Sequence, residues 1–407
     1  MIYLNFILYV SLFVFLYKRK VGVVNLFPIA LWVLGALFSI FYYNSELYYG
    51  NKNLSFFPFV YLFILLLVFY KGVEMKDIKY MQKCDSPLIK PLIITIALSA
   101  YLPFVELLAN ILGGGVDFLN IAEIKDDYYS GEINPREILS SLGSKCYSVS
   151  MYSQFIAPVF FFYYIGNAIE KKWWIITGLI FAIVNPVLFN LSVGGRGVLV
   201  WTFLFFVLLF LVLRNTLKNK DRILIRNVLY IVLAIVLVAF VVITLFRFTS
   251  DKYSGFNISD WIFRYFGESF CNFNEECWNL KHTTNGRNCF AFFSDIVGGD
   301  GQRDYLKLES LTGTRMNVYN TMFGDLLYDF GHYLTPIIVL LIYCLAKCFK
   351  PNMVVLVPSF LIFSIFLYVL LASLFIWPLI NRPYPFVTTL VVSTLLSITS
   401  NIKKTNK

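Results

Sequence analysis

Charge is what this sequence has least of. Only 14% of its 407 residues are charged, while 58% are hydrophobic. A soluble domain carries about a quarter charged residues, so that class is excluded. Histidine is nearly absent, with His282 and His332 alone, which leaves little for a histidine-based metal site. The chain has no P-loop, no dinucleotide-binding glycine fingerprint, no zinc spacing and no serine-nucleophile elbow. No internal repeat stands out, although many transporters are built from repeated halves. The seven cysteines are scattered. Cys84, Cys146, Cys344 and Cys348 lie in or beside apolar runs and read as packing residues. Cys271, Cys277 and Cys289 share one long loop, where a disulfide can form in an oxidising compartment and leave one thiol over.

What the chain does have is apolar runs of about 16 to 25 residues, long enough to cross a bilayer. Eleven are legible, over 2–17, 21–43, 56–70, 88–112, 154–169, 173–191, 198–213, 228–246, 334–349, 352–377 and 386–401. The pattern predicts an all-α polytopic membrane protein of about eleven transmembrane helices with a large, partly helical external loop. The first run has no basic residue before it and no small-residue cleavage site after it. Lys18, Arg19 and Lys20 follow it, so it reads as an anchor with its N-terminus outside. Short segments then assigned inside hold 20 Lys or Arg, against 6 in the short outside segments. That is the positive-inside bias. The net charge of +10 therefore reflects topology, and no nucleic-acid partner is expected.

Three regions follow: residues 1–246 with eight helices, 247–333 as the external loop, and 334–407 with three helices and an internal tail. An external segment, 113–153, opens on three glycines and carries Asp117, Glu123, Asp126, Asp127, Glu132 and Glu137. The 87-residue loop 247–333 far exceeds an ordinary helix connection. Within it, Ile258 to Phe270 alternates like an amphipathic helix suited to the membrane interface. Asp260, Arg264 and Glu268 repeat at four-residue spacing, with Trp261, Ile262, Tyr265 and Phe266 on another side.

Ionisable residues near the outer surface are the candidates for chemistry. Arg196 lies between glycines in the turn 194–197. The glycines permit positive φ and close backbone approach. A guanidinium there can bind phosphate through paired hydrogen bonds or snorkel to headgroups. Asp325, Asp329 and His332 share one face if 319–333 is helical, and form either an acid–base group or a capped helix end. Arg264, Glu268 and Asp260 read first as salt bridges on the interfacial helix. Arg247 and Arg315 add positive charge, though Arg247 also fits snorkelling. His282, Arg287 and Arg303 sit in polar sequence and read as solvated.

Some of these residues carry a resemblance. Leu191-Ser-Val-Gly-Gly-Arg-Gly, between the runs 173–191 and 198–213, resembles the hairpin of bacterial oligosaccharide repeat-unit polymerases, the Wzy proteins. Arg264-Tyr-Phe-Gly-Glu followed by Asn272-Phe-Asn is similar to the start of that family's large external loop, and Asp329-Phe-Gly to its close. The resemblance covers most of the chain as architecture and about thirty residues as motif.

It implies a GT-C-like architecture and a metal-independent, cofactor-free membrane glycosyltransferase at the external face of the bacterial inner membrane. A growing glycan would leave undecaprenyl pyrophosphate and join the non-reducing end of another lipid-linked repeat unit. Arg196, Arg247, Arg264 and Arg315 would bind the pyrophosphate, and Asp329, His332 and Glu268 are the candidate general bases. Trp261, Tyr265 and Trp278 would stack on sugars, and segment 113–153 would line the glycan groove. Implied partners are the lipid-linked donor and acceptor, membrane lipids and a chain-length regulator. The related O-antigen ligases share the architecture, with His332 available for their loop histidine. A flippase or other transporter is the rival class; it expects charges buried within spans, where Glu106 is the main example here.

Overall fold

The computed structural model describes residues 1–76, 78–113, 138–195, 197–248, 257–296, 305–316, 318–380 and 383–405. Within these, the side chains of 235–237, 239–240, 242–248, 294–296 and 402–405 are outside the description. Among the described residues the chain is almost wholly helical: α1 Ile2–Lys18, α2 Val23–Tyr43, α3 Phe56–Val73, α4 Ile89–Ser99, α5 Tyr101–Leu112, α6 Ser141–Tyr152, α7 Ile156–Asn167, α8 Trp173–Ser192, α9 Gly197–Leu213 and α10 Asn219–Phe248. These are followed by α11 Ile258–Glu275, α12 Ala291–Ile296, α13 Tyr305–Thr312, α14 Thr321–Phe349, α15 Val357–Ala372 and α16 Pro383–Thr405. Two short strands, β1 Tyr80–Met81 and β2 Val354–Val355, pair in parallel.

Among the described residues, seven helices are long and apolar enough to cross a membrane: Val23–Tyr43, Phe56–Val73, Ile89–Leu112, Trp173–Ser192, Gly197–Thr216, Thr321–Phe349 and Pro383–Asn401. Ile2–Lys18, Ile156–Asn167 and Val357–Ala372 are shorter apolar helices. The expected run 352–377 is helical only over α15. Its start is taken by β2, and its end, Ser373 to Trp377, is held by backbone bonds to the beginning of α14. The run 88–112 breaks between α4 and α5. Pro103 cannot donate to the Ser99 carbonyl, and its ring crowds that oxygen.

The chain divides into two compact units, interleaved in sequence. One comprises Lys76–Ser254, Pro351–Ile365 and Tyr384–Lys407. In it α8 packs closely on α4: a Cβ at Gly178 would lie 2.4 Å from the Ala97 carbonyl oxygen. Asn185 donates to the Ala100 carbonyl at 3.0 Å, which also accepts from the Phe104 N–H, and to Ser150 at 3.1 Å. Glu106 accepts from the Ser140 backbone N–H at 3.1 Å and from its hydroxyl at 2.6 Å. Ser140 is itself the N-cap of α6, so Glu106 adds a negative charge where the helix dipole favours one. This gives a structural account of the carboxylate that stood out in the apolar run.

The other unit comprises Met1–Met75, Gly255–Lys350 and Phe366–Pro383. Its core is aromatic. Tyr9 stacks on Trp32 at 5.5 Å, and Phe270 meets both rings edge-on, at 5.3 and 5.5 Å. Phe270 comes from α11, which was expected at the membrane interface. Instead every residue of α11 from Gly267 to Asn274 is buried. The reason is Gly267: a Cβ there would stand 2.5 Å from the Phe38 carbonyl carbon and oxygen. Only a residue without a side chain lets α11 lie against the backbone of α2.

Gly267→Val forces these two backbones apart. Overpacking of a tight contact costs about 1–3 kcal/mol, and backbone cannot yield as a side-chain tip can. The expected outcome is a clear drop in the melting temperature of the detergent-solubilised protein. An unchanged melting curve would contradict the close packing.

Candidate functional site

Helix α11 is polar for its surroundings, and its polar side chains converge on one region of its unit. Arg264 Nε donates to Glu268 Oε2 at 2.9 Å, one turn along the helix. The Glu268 side chain is 8% exposed and that of Arg264 23%. The second carboxylate oxygen faces the Tyr319 N–H at 3.4 Å. Burial pushes the Glu268 carboxyl above the ordinary glutamate range, and the guanidinium offsets this only in part. Burial also works against the Arg264 charge, but Glu268 more than compensates, so the pKa of Arg264 is raised. The pair therefore keeps its cation firmly and holds its anion weakly.

Arg315 arrives from the segment after α13. Its Nε and Nη2 both reach Glu276 Oε1 at 2.9 Å, and its backbone N–H reaches Oε2 at 3.2 Å. Between α2 and α3, the loop 44–55 brings Tyr49 to the same place. The Arg264 guanidinium carbon lies 5.0 Å from the centre of the Tyr49 ring, and that of Arg315 lies 5.9 Å away. Arg264 also lies over Trp261 at 5.4 Å. Both distances to Tyr49 are within cation–π range. Tyr265 packs against Tyr319 and Phe375 at 5.4 and 5.9 Å.

Asp329 lies elsewhere in the unit and is 1% exposed. One oxygen accepts from the Thr284 hydroxyl and from the Asn288 N–H at 2.9 Å, and the other from the Cys289 N–H at 2.6 Å. The carboxylate thus closes the turn 284–289 upon itself. Asp325 is equally buried and accepts from the Trp377 N–H at 2.7 Å. The expectation that Asp325, Asp329 and His332 share one helical face is corrected: Gly331 sits at φ 68, ψ −178 and breaks α14. His332 begins the next helical segment. Its ring nitrogen is 3.0 Å from the Trp278 carbonyl oxygen, and its ring meets the Trp278 ring edge-on at 4.5 Å. The Tyr61 hydroxyl donates to the His332 carbonyl at 2.7 Å.

Arg196 lies outside the described residues, and so does the side chain of Arg247, whose backbone belongs to α10. The glycines beside Arg196 are described. Gly194 has φ 72 and closes the end of α8. A Cβ at Gly195 would meet the Asn190 amide at 2.3 Å, whereas Gly197 faces open space. The close approach at this turn therefore comes from the chain's own Asn190. Of the acidic segment, 114–137 lies outside the description. His282 and Arg287 are exposed, as expected. Cys271, Cys277 and Cys289 are buried, and no disulfide joins them to one another.

Residues 136–294 match the model of the family described as O-antigen polysaccharide polymerase Wzy. The match supports a Wzy-type O-antigen polymerase. No curated protein and no solved structure matches. The Wzy match takes in just under two fifths of the chain. Together with the span-capable helices, it describes a multi-pass membrane protein of polysaccharide biosynthesis. Arg264, Glu268, Trp261, Tyr265 and Trp278 fall inside the Wzy segment; Arg315, Asp329 and His332 follow it. Tyr49 precedes it by a long stretch of chain, and sequence reasoning missed it. Glu276, Thr284 and Asn288 were missed as well, because each acts through a partner distant in sequence.

Asp329→Asn tests the turn. The substitution retains one acceptor oxygen but turns an amide N–H towards a backbone donor, leaving a buried group unsatisfied at a cost of about 1–3 kcal/mol. Faster hydrogen exchange at the Asn288 and Cys289 amides is the expected result. Unaltered protection would mean that the carboxylate does not organise the turn.

Proposed function

We propose that this chain transfers a growing glycan from undecaprenyl pyrophosphate to the non-reducing end of a second lipid-linked repeat unit, at the external face of the bacterial inner membrane. The observation that carries this reading is the meeting of Arg264 and Arg315 around Tyr49 beside buried Glu268, with Arg264 and Glu268 inside the Wzy segment. Eleven spans in a GT-C-like arrangement and a large external loop belong to the same proposal.

The bond from the anomeric carbon to the pyrophosphate oxygen breaks as the acceptor hydroxyl forms the new glycosidic bond. The pyrophosphate leaves on its lipid and takes the electron pair. Fixed cations lower the barrier where that charge develops. Each arginine uses part of its planar fork on its own glutamate and keeps further N–H groups for phosphate oxygens. Glu268 takes the proton of the acceptor hydroxyl, a role suited by a carboxyl pKa above the ordinary range. Asp329 and His332 then act by holding the turn 284–289 and Trp278. Trp261, Tyr265 and Trp278 offer surfaces for sugar rings, and Arg196 and Arg247 enter as phosphate-binding candidates on sequence context alone. The proposal uses arginines, not a metal ion, to receive the leaving group.

Purified protein supplied with one lipid-linked repeat unit tests the reading. Elongation without another enzyme is expected, with Arg264→Ala and Arg315→Ala each lowering kcat by about 10²–10³. Translocation without elongation would make the chain a transporter and end the proposal. The pH profile adds a second check. A base must be ionised, so kcat/KM rises with pH through an apparent pKa above the ordinary glutamate range, and Glu268→Gln removes that limb. A limb that survives the substitution rules out Glu268 as the base.

A further inference from the structure

The loop 44–55 looks like a plain connection between two apolar helices, yet it is fastened to α11 at several points. Ser55 N–H donates to the Asn274 side chain at 3.0 Å, and Asn274 returns a bond to the Ser55 carbonyl at 2.8 Å. Asn53 N–H donates to Glu275 at 3.3 Å. The Tyr43 hydroxyl holds the Lys52 carbonyl at 3.0 Å, with Lys52 itself at φ 56. A left-handed backbone is costly for a residue with a side chain, so the loop's path is imposed by these anchors. Gly50 lies so close to the Glu275 carboxylate that a Cβ would overlap it. The result is that Tyr49, 56% exposed, presents its ring to two guanidinium groups.

Arg264 and Arg315 bring two positive charges to one ring, at 5.0 and 5.9 Å from its centre. Each has a glutamate on one side, Glu268 for Arg264 and Glu276 for Arg315. Arg264 meets its carboxylate through Nε, and Arg315 reaches a single oxygen of its own through Nε and Nη2. An aromatic face attracts cations through its quadrupole, and the Tyr49 ring is the one that serves both, joining Trp261 at Arg264. We propose that Tyr49 is a positioning residue of the same site, holding the Arg264 and Arg315 guanidiniums together so that one diphosphate group spans them. This inference rests on the function proposed above, and extends the site to a loop far outside the Wzy-matching segment. Tyr49 acts through the arginines and takes no part in bond making.

The test compares Tyr49→Phe, which keeps the aromatic face, with Tyr49→Leu, which removes it, in the full-length purified chain. Two readouts are used: elongation of a lipid-linked repeat unit, and binding of inorganic pyrophosphate. Tyr49→Leu is expected to weaken pyrophosphate binding by about tenfold, within the range of a cation–π contact, and to lower kcat/KM alike. Tyr49→Phe restores most of both. In an Arg264→Ala background, Tyr49→Leu costs less than in the wild type, because only its contact with Arg315 is left to lose. Wild-type binding in the leucine variant would overturn the proposal. So would a phenylalanine variant as impaired as leucine, or additive losses in the double mutant, which also mark a leucine effect that is merely structural. If the wild type binds pyrophosphate but does not elongate, the polymerase reading fails while Tyr49 is still tested by binding. If it binds none, the positioning role falls.

Discussion

The candidate site depends on one contact made without side chains. At Gly267 the backbone of α11 lies against that of α2 at Phe38, which buries a polar helix in the aromatic core of its unit. Once α11 is there, its polar groups must find partners, because an unpaired buried polar group is costly. Asn274 and Glu275 collect the loop 44–55, Asn272 takes the Tyr319 carbonyl, and Glu268 takes Arg264. The loops around α11 are thus arranged by its need for hydrogen bonds. Tyr49 and Arg315 reach the same place from opposite ends of the sequence because both segments answer to this one helix.

Sequence reasoning read the helices well and the site unevenly, and the division is physical. Apolar runs declare themselves by length, so the all-helical character was legible, as was the pairing of Arg264 with Glu268, four residues apart. A helix break needs a local cause, and where that cause was a proline or a glycine, as at Pro103 and Gly331, it was in plain view. The shared face of Asp325, Asp329 and His332 was conditional on an unbroken helix over 319–333, and Gly331 breaks it. The burial of α11 was not legible. Its charges and amides suggest a surface, and nothing local reveals that α2 offers it backbone at Phe38.

The turn beside Arg196 and the carboxylate of Asp329 show how a motif acquires two explanations. Gly194 and Gly195 are accounted for by the end of α8 and the Asn190 side chain, so their presence no longer argues for a ligand. Gly197, which faces open space, has no such account. Asp329 spends both oxygens on three donors, which explains the residue without any reaction. Glu268 differs: one oxygen has only a long contact to an N–H, and its carboxyl is pushed towards holding a proton.

That difference also suggests how proton transfer and leaving-group binding are linked in the proposed reaction. Arg264 is the main attraction that favours the ionised form of buried Glu268. A pyrophosphate drawing on the same guanidinium competes for it and adds negative charge nearby. Both effects raise the proton affinity of Glu268 at the moment when an acceptor hydroxyl must lose its proton. In the proposed reaction, the carboxylate would be a stronger base with the donor bound than without it. A buried ion pair is weak evidence for stability in its own right. This one makes better sense as a device whose anion is meant to be released.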